Sequence, residues 1–127
     1  MSALVMDEVH SYYGISHVLH GISLEVKEKE VVSLLGRNGA GKTTTIRSII
    51  GLTPPRSGRV LIFGEEMQKK KPYEIFRRGV RLIPQGWHVF PMLTVEENLK
   101  LALVEAEIRD EKAELNKAYA MFPVLKE

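Results

Sequence analysis

The sequence predicts an α/β fold in which an antiparallel β region precedes a strand–loop–helix unit and two amphipathic helices come last. Three observations carry this. Gly36-Arg37-Asn38-Gly39-Ala40-Gly41-Lys42-Thr43 is a complete G-x-x-x-x-G-K-[ST] loop between the apolar run Val31-Val32-Ser33-Leu34-Leu35 and a helix-compatible stretch over 42–52. Ile22-Ser23-Leu24-Glu25-Val26 alternates apolar and polar residues as a half-buried strand does. Thr94-Val95-Glu96-Glu97 has capping-box spacing ahead of apolar residues at helical intervals.

Taken in order, residues 4–9 are β-compatible and 22–26 form the alternating strand. Lys27-Glu28-Lys29-Glu30 makes a charged turn before a buried strand over 31–35. After the helix over 42–52, Pro54-Pro55-Arg56-Ser57-Gly58 punctuates a loop, and Val60-Leu61-Ile62-Phe63 reads as a strand between Gly58 and Gly64. Pro72 suits the first turn of a short helix over 72–78. Gly79 ends it, and Val80-Arg81-Leu82-Ile83 is a strand stopped by Pro84. Val95, Leu99, Ala102, Leu103 and Ala106 then repeat at helical spacing. Asp110 caps a second helix with the stripe Leu115, Ala118, Tyr119 and Phe122, closed by Pro123.

The glycine-rich loop has a specific chemistry. Its glycines permit a tight turn and close approach to phosphate oxygens. Successive backbone N–H groups and the positive end of the following helix dipole favour an anion. Gly36, Arg37, Asn38, Gly39, Ala40, Gly41, Lys42, Thr43 and Thr44 are therefore the expected phosphate cradle, with Lys42 reaching the outer phosphates and the Thr43 hydroxyl holding Mg²⁺. The expected ligand is a nucleoside triphosphate.

Composition narrows the remaining classes. The chain has 127 residues, 44% of them hydrophobic, which is enough for one core. Its 18 basic and 16 acidic residues leave a charge of +2, which gives no electrostatic case for nucleic acid. The Lys69-Lys70-Lys71 run reads as a solvated loop. Without cysteine there is no disulfide, thiolate metal site or cysteine nucleophile. The first residues lack the pattern of a signal peptide, and no apolar stretch reaches bilayer length. The expectation is a cytoplasmic polypeptide with no direct membrane span. His10, His17, His20 and His88, taken singly, read as surface or core residues rather than metal ligands.

Val18-Leu19-His20-Gly21-Ile22-Ser23-Leu24-Glu25-Val26, the phosphate loop, Thr53-Pro54-Pro55-Arg56-Ser57-Gly58 and Ile83-Pro84-Gln85 occur in an order that resembles ATP-binding cassette (ABC) ATPases. Val89-Phe90-Pro91-Met92-Leu93-Thr94-Val95-Glu96-Glu97-Asn98-Leu99 looks like the ATP-binding subunits of branched-chain amino-acid importers, as does Gly36-Arg37-Asn38 leading into Thr43-Thr44-Thr45-Ile46-Arg47-Ser48. The resemblance covers essentially the whole chain. It implies a P-loop NTPase core with an antiparallel β subdomain, over about 1–92, and the start of a helical subdomain, over about 93–127.

The resemblance also implies roles. Tyr13, which directly precedes Gly14, matches the aromatic residue that stacks on adenine, with Tyr12 the adjacent alternative; Val18 matches the apolar flank of the base. Gln85 matches the glutamine that reaches Mg²⁺ and the attacking water, where it positions rather than acts as a base; an ordinary loop glutamine after Pro84 is the alternative. Trp87, His88 and Phe90 fall where a transmembrane subunit docks, or else fill space beside the late helices. The implied partners are ATP with Mg²⁺, a second ATPase subunit and transmembrane permease subunits, at the inner face of the cell membrane.

Two departures qualify the match. Lys29-Glu30 stands where the family often has Gly-Glu, which affects only a turn. More important, the sequence contains no Leu-Ser-Gly-Gly-Gln-type signature loop, no strand ending in Asp-Glu and no switch histidine in a later position. Leu101-Ala102-Leu103-Val104-Glu105 imitates the acidic strand but lies within the capped helical pattern. The expectation is therefore a truncated ABC ATPase domain with unpaired sheet edges at 31–35 and 80–83. The alternative function is a nucleotide-binding fragment with no turnover of its own. A P-loop protein acting on nucleic acid has neither a basic surface nor an aromatic–basic pattern behind it.

Overall fold

The computed structural model describes residues 1–86, 88–104 and 108–126. The expectations placed on Trp87, Glu105 and Ala106 lie outside the described residues. The chain divides into two compact units, Met1–Leu82 and Ile83–Glu127.

The first unit is built on a hairpin of two long strands, β1 (Ser2–Tyr13) and β2 (Ser16–Lys27), both longer than the alternating pattern alone predicts. Helix α1 follows (Lys42–Ile49), then β3 (Ser57–Ile62), the short β4 (Glu65–Glu66) and helix α2 (Pro72–Arg77). The sheet is antiparallel with the order β2-β1-β3-β4. Met6, Val9, Leu19, Val60, Ile62, Met67 and Ile75 form its buried core, with Ile49 and Val80 packed against it.

A bulge in β1 decides which side chains join that core. The register against β2 shifts between Met6 and Val9, and the register against β3 shifts between Asp7 and His10. Glu8, inside the shift, has φ 46°. An inserted residue moves everything beyond it to the opposite face. Met6 is buried, and so are Val9 and Ser11, rather than the even-numbered residues that strict alternation would continue.

Three expectations are corrected here. Residues 31–35 are not a strand and their side chains are exposed, Val31 at 94% and Leu35 at 87%. Residues 80–83 are likewise not a strand, with Ile83 exposed at 93%. The reason is common to both: a strand is defined by a paired neighbour, and among the described residues no strand lies beside either segment. Helix α1 stops at Ile49 instead of reaching Leu52. Ile50 caps it, and the amides of Leu52 and Thr53 turn back to the Arg47 carbonyl.

The second unit holds α3 (Val95–Val104), α4 (Glu111–Met121) and a 3₁₀ turn (Pro123–Lys126). The capping box forms as its spacing predicts. Glu97 N–H donates to Thr94 Oγ1 at 3.1 Å, and Thr94 N–H donates to Glu97 Oε2 at 2.8 Å. Asp110 caps α4 by accepting from Ala113 N–H at 3.0 Å. Of the expected stripe on α4, Leu115 is buried, Ala118 and Tyr119 are half-buried, and Phe122 is exposed. Asn98 clips the preceding segment to α3, accepting from Phe90 N–H at 2.9 Å and donating to its carbonyl at 3.1 Å.

Candidate functional site

The glycine-rich loop leaves the extended segment over 31–35 and ends on the first turn of α1. Arg37 to Ala40 close a turn through Ala40 N–H to the Arg37 carbonyl at 3.1 Å, with Gly39 at φ 81° in its third position. Gly41 caps α1 at φ 99°, and a Cβ there would come within 2.9 Å of Leu19 Cδ2. Glycine is thus required at Gly41 twice, by backbone conformation and by the close approach of β2. The neighbouring Val18 carbonyl is 3.8 Å from the same point, so the β2 backbone at Val18 lies close to the loop.

Residues 36–40 are exposed, as is Thr43, while Gly41, Thr44 and Thr45 are buried. Thr45 anchors the helix start, its N–H and hydroxyl both donating to the Gly41 carbonyl at 2.8 and 2.9 Å. Lys42 Nζ arches over the loop and donates to the carbonyls of Gly36 and Arg37, the latter at 2.9 Å. Its charge is therefore held over the turn at Arg37–Ala40. The donor set fits a magnesium–triphosphate group: amide donors at a helix N-terminus and an ammonium for phosphate, and an exposed Thr43 hydroxyl oxygen for a hard cation.

Ser11 and Tyr13 both follow the bulge and stand two residues apart on β1, with one more shift against β2 between Ser11 and Tyr12. Ser11 Oγ and Ser48 Oγ are 2.8 Å apart and buried, tying β1 to α1. Thr53 Oγ1 donates to Tyr13 Oη at 3.4 Å, and Arg47 Nε donates to Thr53 Oγ1 at 3.2 Å. Thr53 first and Thr44 second hold the Tyr13 phenol below its ordinary pKa. The hydroxyl end is thus fixed on α1 and the loop after it, while the residue is 46% exposed and offers ring surface.

Tyr12 is committed elsewhere. Its ring stacks on His17 with centroids 4.2 Å apart and planes 6° from parallel, and the Arg56 guanidinium stands 4.4 Å over it. Two flat groups at these distances cannot share one ring face, so Tyr12 is sandwiched. Gln85 is exposed and belongs to the second unit, with its carbonyl 2.7 Å from His88 Nε2. The phosphate loop, Tyr13 and Val18 share the first unit. Val89 and Phe90 are exposed.

Sequence reasoning gives Thr53 and Arg56 no role of their own; both stand only in the 53–58 segment that carries the family resemblance. It also treated His10, His17 and His20 singly, whereas the hairpin gathers them. His10 Nδ1 is 3.0 Å from His17 Nε2, and the His17 and His20 ring centroids are 3.8 Å apart. The β1–β2 register, which pairs His10 with His20, was the signal that could have found them. Among the described residues no group of three such side chains is arranged to hold a metal ion.

A G-x-x-x-x-G-K-[ST] loop at the head of a helix marks the P-loop class of nucleotide-binding proteins. The family model described as ABC transporter matches residues 19–126, and the chain belongs to the ABC transporter family. It is 39% identical over 124 residues to the high-affinity branched-chain amino acid transport ATP-binding protein BraG of Pseudomonas aeruginosa, a match covering 98% of this chain and 53% of BraG. It is 38% identical over 103 residues to the lipopolysaccharide export system ATP-binding protein LptB of Haemophilus influenzae, covering 81% of this chain and 43% of LptB. A solved ATP-binding subunit of an ABC transporter superposes with a TM-score of 0.80 at 34% identity, over 98% of this chain and 50% of that one. The chain spans about half the length of these relatives.

Proposed function

We propose that this chain is the N-terminal part of the ATP-binding subunit of an ABC importer, binding Mg²⁺-ATP to drive the uptake of branched-chain amino acids. The observation that carries the nucleotide reading is the anchoring of Tyr13 on Thr53, one loop beyond the helix that Lys42 and Thr43 open. A stacking surface for a base and a cradle for phosphates are thereby tied to the same element. Lys42, the loop amides and Thr43 take the triphosphate and the metal ion. When bound, the ion neutralises the charge on the outer phosphates. Gln85 keeps the positioning role that the family resemblance implies.

The cargo assignment rests on the resemblance of 89–99 to branched-chain importers and on the likeness to BraG; LptB, whose cargo differs, is the competing precedent. In family terms, about 1–92 is the β subdomain and P-loop core and about 93–127 the start of a helical subdomain. A second ATPase subunit and transmembrane subunits complete the transporter at the inner membrane face. Among the described residues no helix is long and apolar enough to cross a membrane. Deleting the gene and measuring uptake of labelled leucine, isoleucine and valine, with an unrelated amino acid as control, tests the cargo. Unchanged uptake of all three rejects it.

For the 127-residue chain alone we infer binding without turnover. Its sequence carries the cradle but no acidic strand end and no signature loop, and phosphoryl transfer depends on such positioning and charge. Phosphate release from the purified chain is expected at background. Mg²⁺-dependent turnover abolished by Lys42→Ala overturns this.

A further inference from the structure

The loop that leaves α1 grips the end of the β1–β2 hairpin at several points. Arg56 N–H donates to the His10 carbonyl at 2.9 Å. The Arg56 guanidinium lies over the Tyr12 ring at 4.4 Å, and its Nη2 donates to the Gly14 carbonyl. Thr53, three residues earlier, holds the Tyr13 hydroxyl. Tyr13 is thus bracketed by two residues that the same arginine contacts, while its own side chain is tied to the same loop. Gly14, at φ 59°, is where the hairpin turns, and a Cβ there would meet nothing within 4 Å. The Tyr12–His17 and Tyr13–Ser16 pairs hold the strand ends beside this turn, and the Arg56 hydrogen bond to Gly14 and its stack on Tyr12 add a tie from the loop to the backbone that carries Tyr13.

We propose that Arg56 is a positioning residue for base recognition: it fixes the Tyr12–Gly14 backbone so that the exposed Tyr13 ring meets the purine of a nucleotide whose phosphates lie on the 36–43 loop. The inference rests on the reading of Tyr13 as the base-stacking residue. The observed contacts of Arg56 are with the backbone of His10 and Gly14 and the ring of Tyr12, so its role is to position and not to bind. Its planar guanidinium suits both tasks at once, since it stacks on an aromatic face and donates in its own plane. A lysine retains the charge and a donor but not the flat stack.

The test separates base from phosphate. Calorimetric titration of the chain with Mg²⁺-ATP and with Mg²⁺-tripolyphosphate, which has no base, yields a ratio of affinities for each variant. Arg56→Ala is expected to weaken ATP binding by about threefold to tenfold and to leave tripolyphosphate within about twofold. Arg56→Lys, which also serves if the alanine variant does not fold, is expected to fall between. Tyr13→Ala is the control for the underlying reading. If Tyr13→Ala leaves the ratio unchanged, the stacking role fails and the Arg56 proposal falls with it. If Tyr13→Ala lowers the ratio but neither Arg56 variant does, only the positioning role of Arg56 is overturned. Equal loss of both ligands in the Arg56 variants reports a general structural defect and overturns it too.

Discussion

Ser11 and Ser48 share one buried hydrogen bond, 2.8 Å between their hydroxyl oxygens, and it fastens the inner face of β1 to the helix that opens at Lys42. Both residues are almost fully enclosed, at 0% and 1% exposure. Ser48→Ala leaves the Ser11 hydroxyl without its partner, and a buried unsatisfied hydroxyl costs about 1–3 kcal/mol. Chemical denaturation should show that loss, and the double variant Ser11→Ala/Ser48→Ala should recover part of it. A double variant less stable than the single one would count against the hydroxyl account.

Lys42→Ala should weaken Mg²⁺-ATP binding by about tenfold to a hundredfold, as expected for loss of one or more charge-assisted contacts. Lys42 Nζ is already held over the loop by the Gly36 and Arg37 carbonyls, so the wild-type side chain needs little reorganisation. Titration with a fluorescent ATP analogue reads the difference. Equal affinities would remove Lys42 from the site.

The His10–His17–His20 group makes the hairpin sensitive to acid. Partial burial, and then the charges of His20 and His10, push the His17 pKa below its ordinary value of 6.5. The His10–His17 bond also needs one ring nitrogen as an acceptor, which two imidazolium ions do not offer. Arg56, across Tyr12, is the other cation facing the group. A depressed folded-state pKa means that the unfolded chain binds more protons, so the contribution is present above 6.5 and is lost as pH falls through the folded value. Thermal melts from about pH 7 to about pH 5 should fall more steeply for wild type than for His17→Gln. Parallel curves would remove His17 as the responsible group.

In the second unit, Thr94→Ala removes one half of a reciprocal cap and should cost α3 about 0.5–2 kcal/mol. The Thr94 amide first, and then its hydroxyl, hold the Glu97 carboxyl below its usual pKa of 4.5. The glutamate half of the cap is therefore present above that value and lost as pH falls through the folded one. Amide exchange across Val95–Val104 should speed up in Thr94→Ala, and in wild type on acidification through this range once intrinsic rates are corrected. Unchanged protection in both cases would mean that packing, not capping, holds the helix.

The sequence alone determined what depends on local chemistry. The glycine spacing and Lys42 mark the 36–43 loop ahead of α1, Thr94 and Glu97 define the start of α3, and Asp110 defines the start of α4, because each feature needs only residues a few positions apart. The tertiary structure decided what depends on a neighbour. Apolar composition marks 31–35 and 80–83 as strands, yet a strand exists only beside another, and neither segment is paired among the described residues. The different surroundings of Tyr12 and Tyr13 depend on strand register that only the packed sheet fixes. The bulge at Glu8 sends Ser11 and Tyr13 towards α1 and leaves Tyr12 between His17 and Arg56. No spacing rule announces that bulge, because it arises where β1 must pair with β2 on one side and β3 on the other, and only the packed sheet satisfies both.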